Sequence, residues 1–473
     1  MCLLLTNGSP SIDALSHMPP LPLVIDYSDR TKTITREDED NIYFGLQQHG
    51  RVRQLTLQGP SSRLRMWLKP MNNLFPSLGD LSLLSTTTEG MSLVLPETLQ
   101  APNLCRLSLH SIGLPKGLPL LSSTIALSKL TLAHIGASCY FPPGHLVTQL
   151  QSLPLLEELS IGFSVSIPLP SSEGEPLPPP IPPVTLPTLR RFTFRGEDSY
   201  LENIVAQINT PLLECLSLTF FFDLTFTLVK MTELINRTER FEFLVARVIF
   251  NKDGAAIDAG LYEQQDIGKI SLRVNCEPVD WQIDSATQVC IAIGNILSTV
   301  EVLTLDLHVD GMPPDWENTL DNAQWHELLL PFIGVKKLHI GLLLTSELSQ
   351  ALESVAGELA SELLPELQEL EVPLEIDQAT NSFSTFIETR ESVGRPIRLL
   401  VPSGVAAGSS LSTNETLAAP LQNTLAAQRS QRRRRRVTYQ PELEDVIDAG
   451  RKEKRWQARA LGLVGRLRGK GQD

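Results

Sequence analysis

A short apolar pattern, L-x-x-L-x-L, recurs along most of the chain with its centres 23 to 35 residues apart. The centres are Leu55, Leu81, Leu107, Leu130, Leu159, Phe192, Leu216, Phe241, Ile270, Leu303, Leu338 and Leu370. Two residues on stand Leu57, Leu83, Leu109, Leu132, Ile161, Phe194, Leu218, Phe243, Leu272, Leu305, Ile340 and Val372, all apolar. Three residues before each centre, eleven of twelve are aliphatic, and only Thr238 breaks the column. Between the two apolar columns lie Thr56, Ser82, Ser108, Thr131, Ser160, Thr193, Ser217, Glu242, Ser271, Thr304, His339 and Glu371, nine of them Ser or Thr. Alternation over five residues is the period of a strand with one buried and one wet face. Agreement across twelve segments predicts one sheet of stacked parallel strands, with small hydroxyl residues along its wet side.

Between these segments, apolar residues three and four apart predict helices. They cover Glu37–Gln48, Leu146–Leu153, Tyr200–Ile208, Thr227–Ile235, Ala286–Leu297, Ala323–Phe332, Glu347–Leu364 and Phe383–Val393. A parallel strand pair needs a crossover of about a dozen residues, and such helices supply it. One strand–helix unit cannot bury its own apolar face, but a stack of units can. The expected fold class is therefore α/β, a leucine-rich-repeat-like solenoid with a parallel sheet on the concave face and helices outside. It would form one domain over residues 22–402, after a short N-terminal extension, 1–21. Strands at Leu23–Ile25 and Ile397–Val401 would extend it at its ends. Pro60, Thr86, Ile112 and Ile135 stand where a regular leucine-rich repeat often has Asn or Cys. Irregular curvature and loops of unequal length are expected.

Two segments depart from the pattern. Residues 165–187 hold nine prolines and read as a stiff surface loop; a polyproline II ligand for an aromatic groove is the second reading. Residues 403–473 turn to Ser, Ala, Gly, Asn and Thr and then to a basic run, with too little apolar content to fold alone, so a disordered tail is expected. Within it Arg432, Arg433, Arg434, Arg435 and Arg436 are candidates for nuclear targeting or a nucleic-acid-contacting arm. Further on, Trp456, Ala460, Leu463 and Leu467 fall at helical spacing opposite Lys452, Lys454, Arg455 and Arg459, a short basic helix interrupted by glycines.

The chain has 473 residues, 42% of them hydrophobic, which excludes a wholly disordered protein. Its net charge of −14 is unevenly spread. Residues 428–473 hold 14 Lys/Arg against 6 Asp/Glu (+8), and the other 427 hold 26 against 48 (−22). An acidic body of that size repels phosphate backbones, so nucleic acid is not expected as a partner of the body. Six scattered cysteines without a C-x-x-C pair suit reduced, buried thiols. The longest apolar run, Leu216–Val229, contains Asp223 and is shorter than the ~20 residues of a membrane helix. The expectation is a cytoplasmic or nuclear protein that does not enter a membrane.

No catalytic motif emerges. A phosphate-binding loop, a dinucleotide fingerprint and a nucleophile elbow are all missing. His326-Glu327 has half the look of a zinc motif, but Leu330 stands where a second ligand on the same helix face would be. No enzyme activity, cofactor or metal is expected, and an unrecognised enzymatic site among the long inserts is the remote alternative. The outward column before the Ser/Thr residues is more informative. It runs Gln54, Asp80, Arg106, Lys129, Glu158, Arg191, Cys215, Arg240, Lys269, Val302, Lys337 and Glu369. Long charged side chains on a concave sheet are either positions from which a solenoid reads a protein partner or plainly solvated charges. Arg106, Lys129, Glu158, Arg191, Arg240 and Lys269 are the candidate partner-binding residues.

The chain also resembles a known family. P-P-L-P-L-V-I-D-Y at Pro19–Tyr27, E-D-E-D-N-I at Glu37–Ile42, R-V-R-Q-L-T-L at Arg51–Leu57 and L-P-E-T-L-Q-A-P-N-L at Leu95–Leu104 carry the resemblance. So do L-P-T-L-R-R-F-T-F-R-G at Leu186–Gly196, P-L-L-E-C-L-S-L-T-F-F at Pro211–Phe221, D-W-Q-I-D-S-A-T-Q-V at Asp280–Val289 and E-L-L-P-E-L-Q-E-L at Glu362–Leu370. These segments, over about residues 19–402, are similar to the F-box proteins with divergent leucine-rich repeats of mushroom-forming fungi. The resemblance implies a substrate receptor of a cullin–RING ubiquitin ligase, whose repeats hold the protein to be ubiquitinated. An F-box opens with something like L-P-x-E-[IL], and Met1–Met18 does not match it. The expected role is thus substrate recognition, with the ligase adaptor a partner only if an F-box belongs to the full protein. A ligase-independent scaffold, nuclear through its arginine run, is the alternative.

Overall fold

Eleven of the twelve predicted centres lie on strands of a single 16-stranded sheet. In this computed structural model the described residues are 2–9, 20–28, 34–87, 93–115, 119–164, 183–221, 228–238, 240–261, 268–276, 279–308, 322–354, 363–373 and 376–400. The strands of the sheet are β1 Leu3–Thr6, β2 Leu23–Ser28, β3 Val52–Gly59, β4 Asp80–Ser85, β5 Arg106–His110, β6 Lys129–Ile135, β7 Glu158–Phe163 and β8 Arg191–Gly196. They continue as β9 Cys215–Phe220, β10 Val245–Asn251, β11 Gly254–Gly260, β12 Lys269–Asn275, β13 Val302–Leu307, β14 Lys337–Ile340, β15 Glu369–Glu371 and β16 Arg398–Leu400. The main helices are α1 Arg36–Gln47, α2 Ser61–Leu68, α3 Pro143–Leu150, α4 Asp198–Val205 and α5 Val229–Arg237, then α6 Val279–Ala292, α7 Asn322–Leu329, α8 Thr345–Ser354 and α9 Ile376–Ser392.

From β1 to β9 the strands stack in chain order, every neighbour parallel. The centre column pairs without slippage: Leu55 faces Leu81, then Leu107, Leu130, Leu159, Phe192 and Leu216. These residues and the apolar residue two further on are all buried, as are all the described aliphatic residues three before the centres. Apolar stems thus fill one side of the sheet, where the helices lie, and a residue shifted by one position would face water instead.

The units are tied through the backbone rather than through an Asn ladder. At the start of most strands two consecutive amides share one carbonyl of the preceding unit. The amides of Cys105 and Arg106 both reach Gly79 O at 2.8 and 3.0 Å, and those of Glu157 and Glu158 reach Ser128 O at the same distances. Side chains add to this where the loops allow: Asn103 Nδ2 donates to Pro76 O at 2.7 Å and Thr188 Oγ1 to Pro154 O at 2.9 Å. These bonds satisfy carbonyls that would otherwise be orphaned at the turns.

Two helices are fixed at their starts by acidic side chains. Thr35 and Asp38 form a reciprocal cap on α1, and Asp38 Oδ1 also accepts the Gly8 amide at 2.8 Å, holding the turn after β1. No side chain of its own turn caps α5; Glu202 of α4 accepts the amides of Lys230 and Met231 at 2.8 and 2.9 Å. Burial pushes the Glu202 carboxyl above its ordinary pKa against the lowering effect of those two bonds.

Three expectations need correcting. Leu3–Thr6 belongs to the sheet as its first strand, so the segment 1–21 is not merely an extension. Phe241 is not on a strand; it lies in a non-regular turn and stacks on Phe243 with ring centroids 5.9 Å apart. The strand comes four residues later, as β10, and turns back through a two-residue loop into antiparallel β11. The sheet order consequently runs β9-β12-β11-β10-β13, broken only there. The reason is local: Gly254, at φ +147°, closes the Lys252–Asp253 loop beside β12, and a Cβ on it would sit 1.9 Å from Val274 O. Only glycine fits that approach. Finally, the last residues of the proline-rich segment are in the fold, because Val184–Thr185 pairs with Ile208–Asn209. Residues 165–182 and the tail from 401 onward lie outside the described residues.

Candidate functional site

The open face of the sheet is laid out by strand register into three polar rows. The central row is the hydroxyl column: Thr56, Ser82, Ser108, Thr131, Ser160, Thr193, Ser217 and Ser271 face one another in order. The hairpin then puts Asp258 and Arg247 into that row before Thr304, His339 and Glu371 resume it.

The row before it holds the candidate residues. Arg106, Lys129, Glu158 and Arg191 stand opposite one another on β5 to β8, and Lys269 follows across Cys215. The structure brings these five together. It does not bring Arg240 to them: that residue is off the sheet, and its guanidinium meets Glu214, which also takes Arg190 at 2.7 Å. Glu214 precedes β9 and belongs to the strand edge. The misplacement follows from the missing Phe241 strand.

None of the cations in this row is free. Arg106 makes a two-pronged pair with Asp80, its second contact at 2.9 Å. Glu158 takes Lys129 at 2.7 Å on one side and Arg191 on the other, and Lys269 reaches Asp258 at 3.7 Å. Burial pushes the Glu158 carboxyl up, but the hydrogen bonds and charges of Lys129 and Arg191 outweigh it and leave its pKa below the ordinary value. The Asp80 hydrogen bond, with its charge, holds the Arg106 guanidinium above its own. The row is a largely exposed set of ion pairs carrying both signs, with each charge partly spent on a nearby opposite charge. At the far end of the sheet Lys337, His339 and Glu371 form a similar group, with contacts of 2.9 and 3.1 Å to the carboxylate.

The third row was not singled out by the outward-column reading, although the same count along each strand reaches it three residues after the centre. It carries His110, Ala133, Gly162, Arg195, Thr219 and Arg273. Gly162 leaves room beside Arg195, whose Cβ lies 3.6 Å from where a Gly162 Cβ would be. A bulge in β6 turns His134, at φ +55°, toward this position. Burial, followed by the charge of Arg195, holds the His134 pKa below its ordinary value. Behind the row, Phe163, Phe194 and Tyr200 form an aromatic cluster, closed by a hydrogen bond from the Tyr200 hydroxyl to Phe141 O at 3.0 Å.

The remaining candidates resolve into packing. His326 Nε2 meets Ala351 O at 2.6 Å and so links α7 to α8. Cys139, Cys276 and Cys290 are buried, but Cys2 and Cys105 are exposed and Cys215 is partly so, against the expectation of six buried thiols; none of the six forms a disulfide. Among the described residues no group of three or more His, Cys, Asp or Glu side chains could hold a metal ion, and no helix is long and apolar enough to cross a membrane. Arg432 to Arg436 and the basic segment Arg451–Lys470 lie outside the described residues. Comparison of the chain with family models, with curated proteins and with solved structures gave no match.

Proposed function

We propose that the chain is a non-enzymatic protein-binding module, a leucine-rich-repeat-like solenoid whose open sheet face, on its concave side, holds an extended segment of a partner protein. The observation that carries this reading is the continuity of the open face. Eight strands present hydroxyls from Thr56 to Ser271 in a column that pairs without a shift, flanked by the ion-pair row from Asp80 to Lys269. Hydroxyls offer both donors and acceptors to a peptide backbone, and exposed ion pairs exchange partners at little cost because each contributes less than about 1 kcal/mol to the fold. The resemblance to F-box proteins with divergent repeats supports a more specific role, recognition of a substrate for ubiquitination. The ligase-independent scaffold differs from it only in delivery.

The test is capture of partner proteins from a cell extract by the full chain, with and without a rearranged row. Exchanging Asp80→Arg with Arg106→Asp, and Glu158→Lys with Lys129→Glu and Arg191→Glu, keeps opposite charges facing each other while inverting the pattern. Loss of the captured set with far-UV circular dichroism unchanged is the expected outcome. Capture of the same set at the same yield would sink the reading. Adaptor binding by the full protein separates the receptor from the scaffold.

A further inference from the structure

The ion-pair row and the third row differ in one respect that bears on ligand chemistry. In the first, each cation faces a carboxylate. In the third, Arg195 and Arg273 face none: among the described residues, neither makes a hydrogen bond or an ion pair. Arg195 Nε is buried without a partner, and its guanidinium lies over the Phe221 ring at 5.6 Å from the centroid. Arg273 is exposed. The two stand on either side of Thr219, which pairs with both, so their backbones are two strand spacings apart, about 10 Å. The carboxylate diagonal to Arg273, Asp258, is engaged by Lys269, and Asp306 is engaged by Arg247 at 2.7 Å. An aromatic platform, two guanidinium groups and a hydroxyl therefore share one stretch of the open face, where among the described residues neither guanidinium is paired with a carboxylate.

Resting on the protein-binding reading of this face, we propose that Arg195, Thr219 and Arg273 form a site for the phosphoryl group of a phosphorylated serine or threonine in the bound peptide. A carboxylate has two oxygens and one charge. A phosphoryl group brings three terminal oxygens and nearly two charges, which matches the donors of two planar guanidinium forks and a hydroxyl. A single phosphate fits and a phosphate chain does not: carboxylates of Glu158, Asp258 and Asp306 stand on the same face, and the body carries a large excess of acidic residues. Repetition of negative charge along a nucleic acid would meet them.

The test uses fluorescence anisotropy with the full chain and three labelled peptide pools of degenerate sequence. Their fixed central residue is phosphoserine or phosphothreonine in the first, serine or threonine in the second, and glutamate in the third. The expected result is binding of the phosphorylated pool about tenfold or more tighter than either other pool, and a comparable loss on Arg273→Ala. Arg195→Ala should do the same, but it also removes a contact to Phe221, so the exposed Arg273 carries the decision. Equal binding of the three pools, no binding of the phosphorylated pool, or no effect of Arg273→Ala would overturn the site. So would tighter binding of a single-stranded oligo(dT). If extract capture by the open face survives any of those results, the phosphate site alone is lost; if capture fails as well, the protein-binding reading falls with it.

Discussion

Strands β3 to β9 and the hairpin β10–β11 share one sheet and one register, but they are held in place by different means. In the run from β3 to β9 each strand is followed by a connection back to the same edge, and the centre column is filled by Leu or Phe. In the hairpin the centre column narrows to Ala259 and Ala246, between Ile270 on one side and Leu303 on the other. Ladder bonds on both sides and a glycine turn then replace side-chain volume. The open face changes as well: hydroxyls in the run give way to Asp258 and Arg247, each in an ion pair. A stack of this kind tolerates a foreign unit if the unit presents the same backbone ladder at its two edges, because each strand interacts chiefly with its neighbours.

The sharpest way to break the comparison is Gly254→Ala. The new Cβ would press on Val274 O, and the backbone conformation disfavours any side chain, so a loss of more than about 4 kcal/mol is expected in chemical denaturation. An unchanged midpoint would mean that the hairpin is not formed as described. Next comes Phe192→Ala in the regular run, where removal of a fully buried ring should cost about 3–5 kcal/mol. The mirror experiment, Ala246→Leu in the hairpin, should also destabilise, by about 1–3 kcal/mol, since the space between neighbouring strands is already filled. If Ala246→Leu stabilised the protein, the narrowing of the centre column would be a cavity instead.

Smaller effects separate the helix layer from the open face. Glu202→Ala, which uncaps α5, should cost about 1–2 kcal/mol, and Glu202→Gln less because an acceptor remains. The two glutamates differ in pH response. Glu202 has a raised pKa in the fold, so its contribution is fully present below the unfolded value and is lost as pH rises through the folded one. Glu158 has a lowered pKa, so its contribution is present above the unfolded value and is lost as pH falls through the folded one. Denaturation midpoints of Glu202→Gln and Glu158→Gln, followed from neutral to acid pH, should therefore drift from wild type in opposite directions. The smallest change is expected from Arg106→Ala, within about 1 kcal/mol, because that pair is exposed.

Most of the strands could be read from the chain because their side-chain period is two and one face must be dry. The columns at Leu55, Leu81 and their successors satisfy both conditions. Phe241 satisfied the apolar count alone: Thr238 stood before it and Glu242 beside it, and both broke the columns. The neighbouring sequence A-R-V-I-F-N-K-D-G-A-A-I-D-A-G, with Asp-Gly between alternating segments, carried the hairpin signal that a repeat count passes over. Helix α2, over S-S-R-L-R-M-W-L, was missed although Leu64, Trp67 and Leu68, whose burial holds it, stand three and four residues apart.

The candidate face was legible as a row but not as a charge distribution. Arg106, Lys129, Glu158, Arg191 and Lys269 shared a column because register follows from the apolar positions, and those are local properties of the chain. Which of these charges were spent on neighbours, that Arg240 stands off the sheet, and that Arg195 and Arg273 flank Thr219 depended on which strands lie side by side. The sequence by itself determined most of the strands, their inward and outward residues and most of the helices, since each depends on periodicity within a few residues. The tertiary structure alone decided that β12 lies next to β9, because that contact joins residues more than fifty positions apart and follows from a single glycine turn reversing the chain between them.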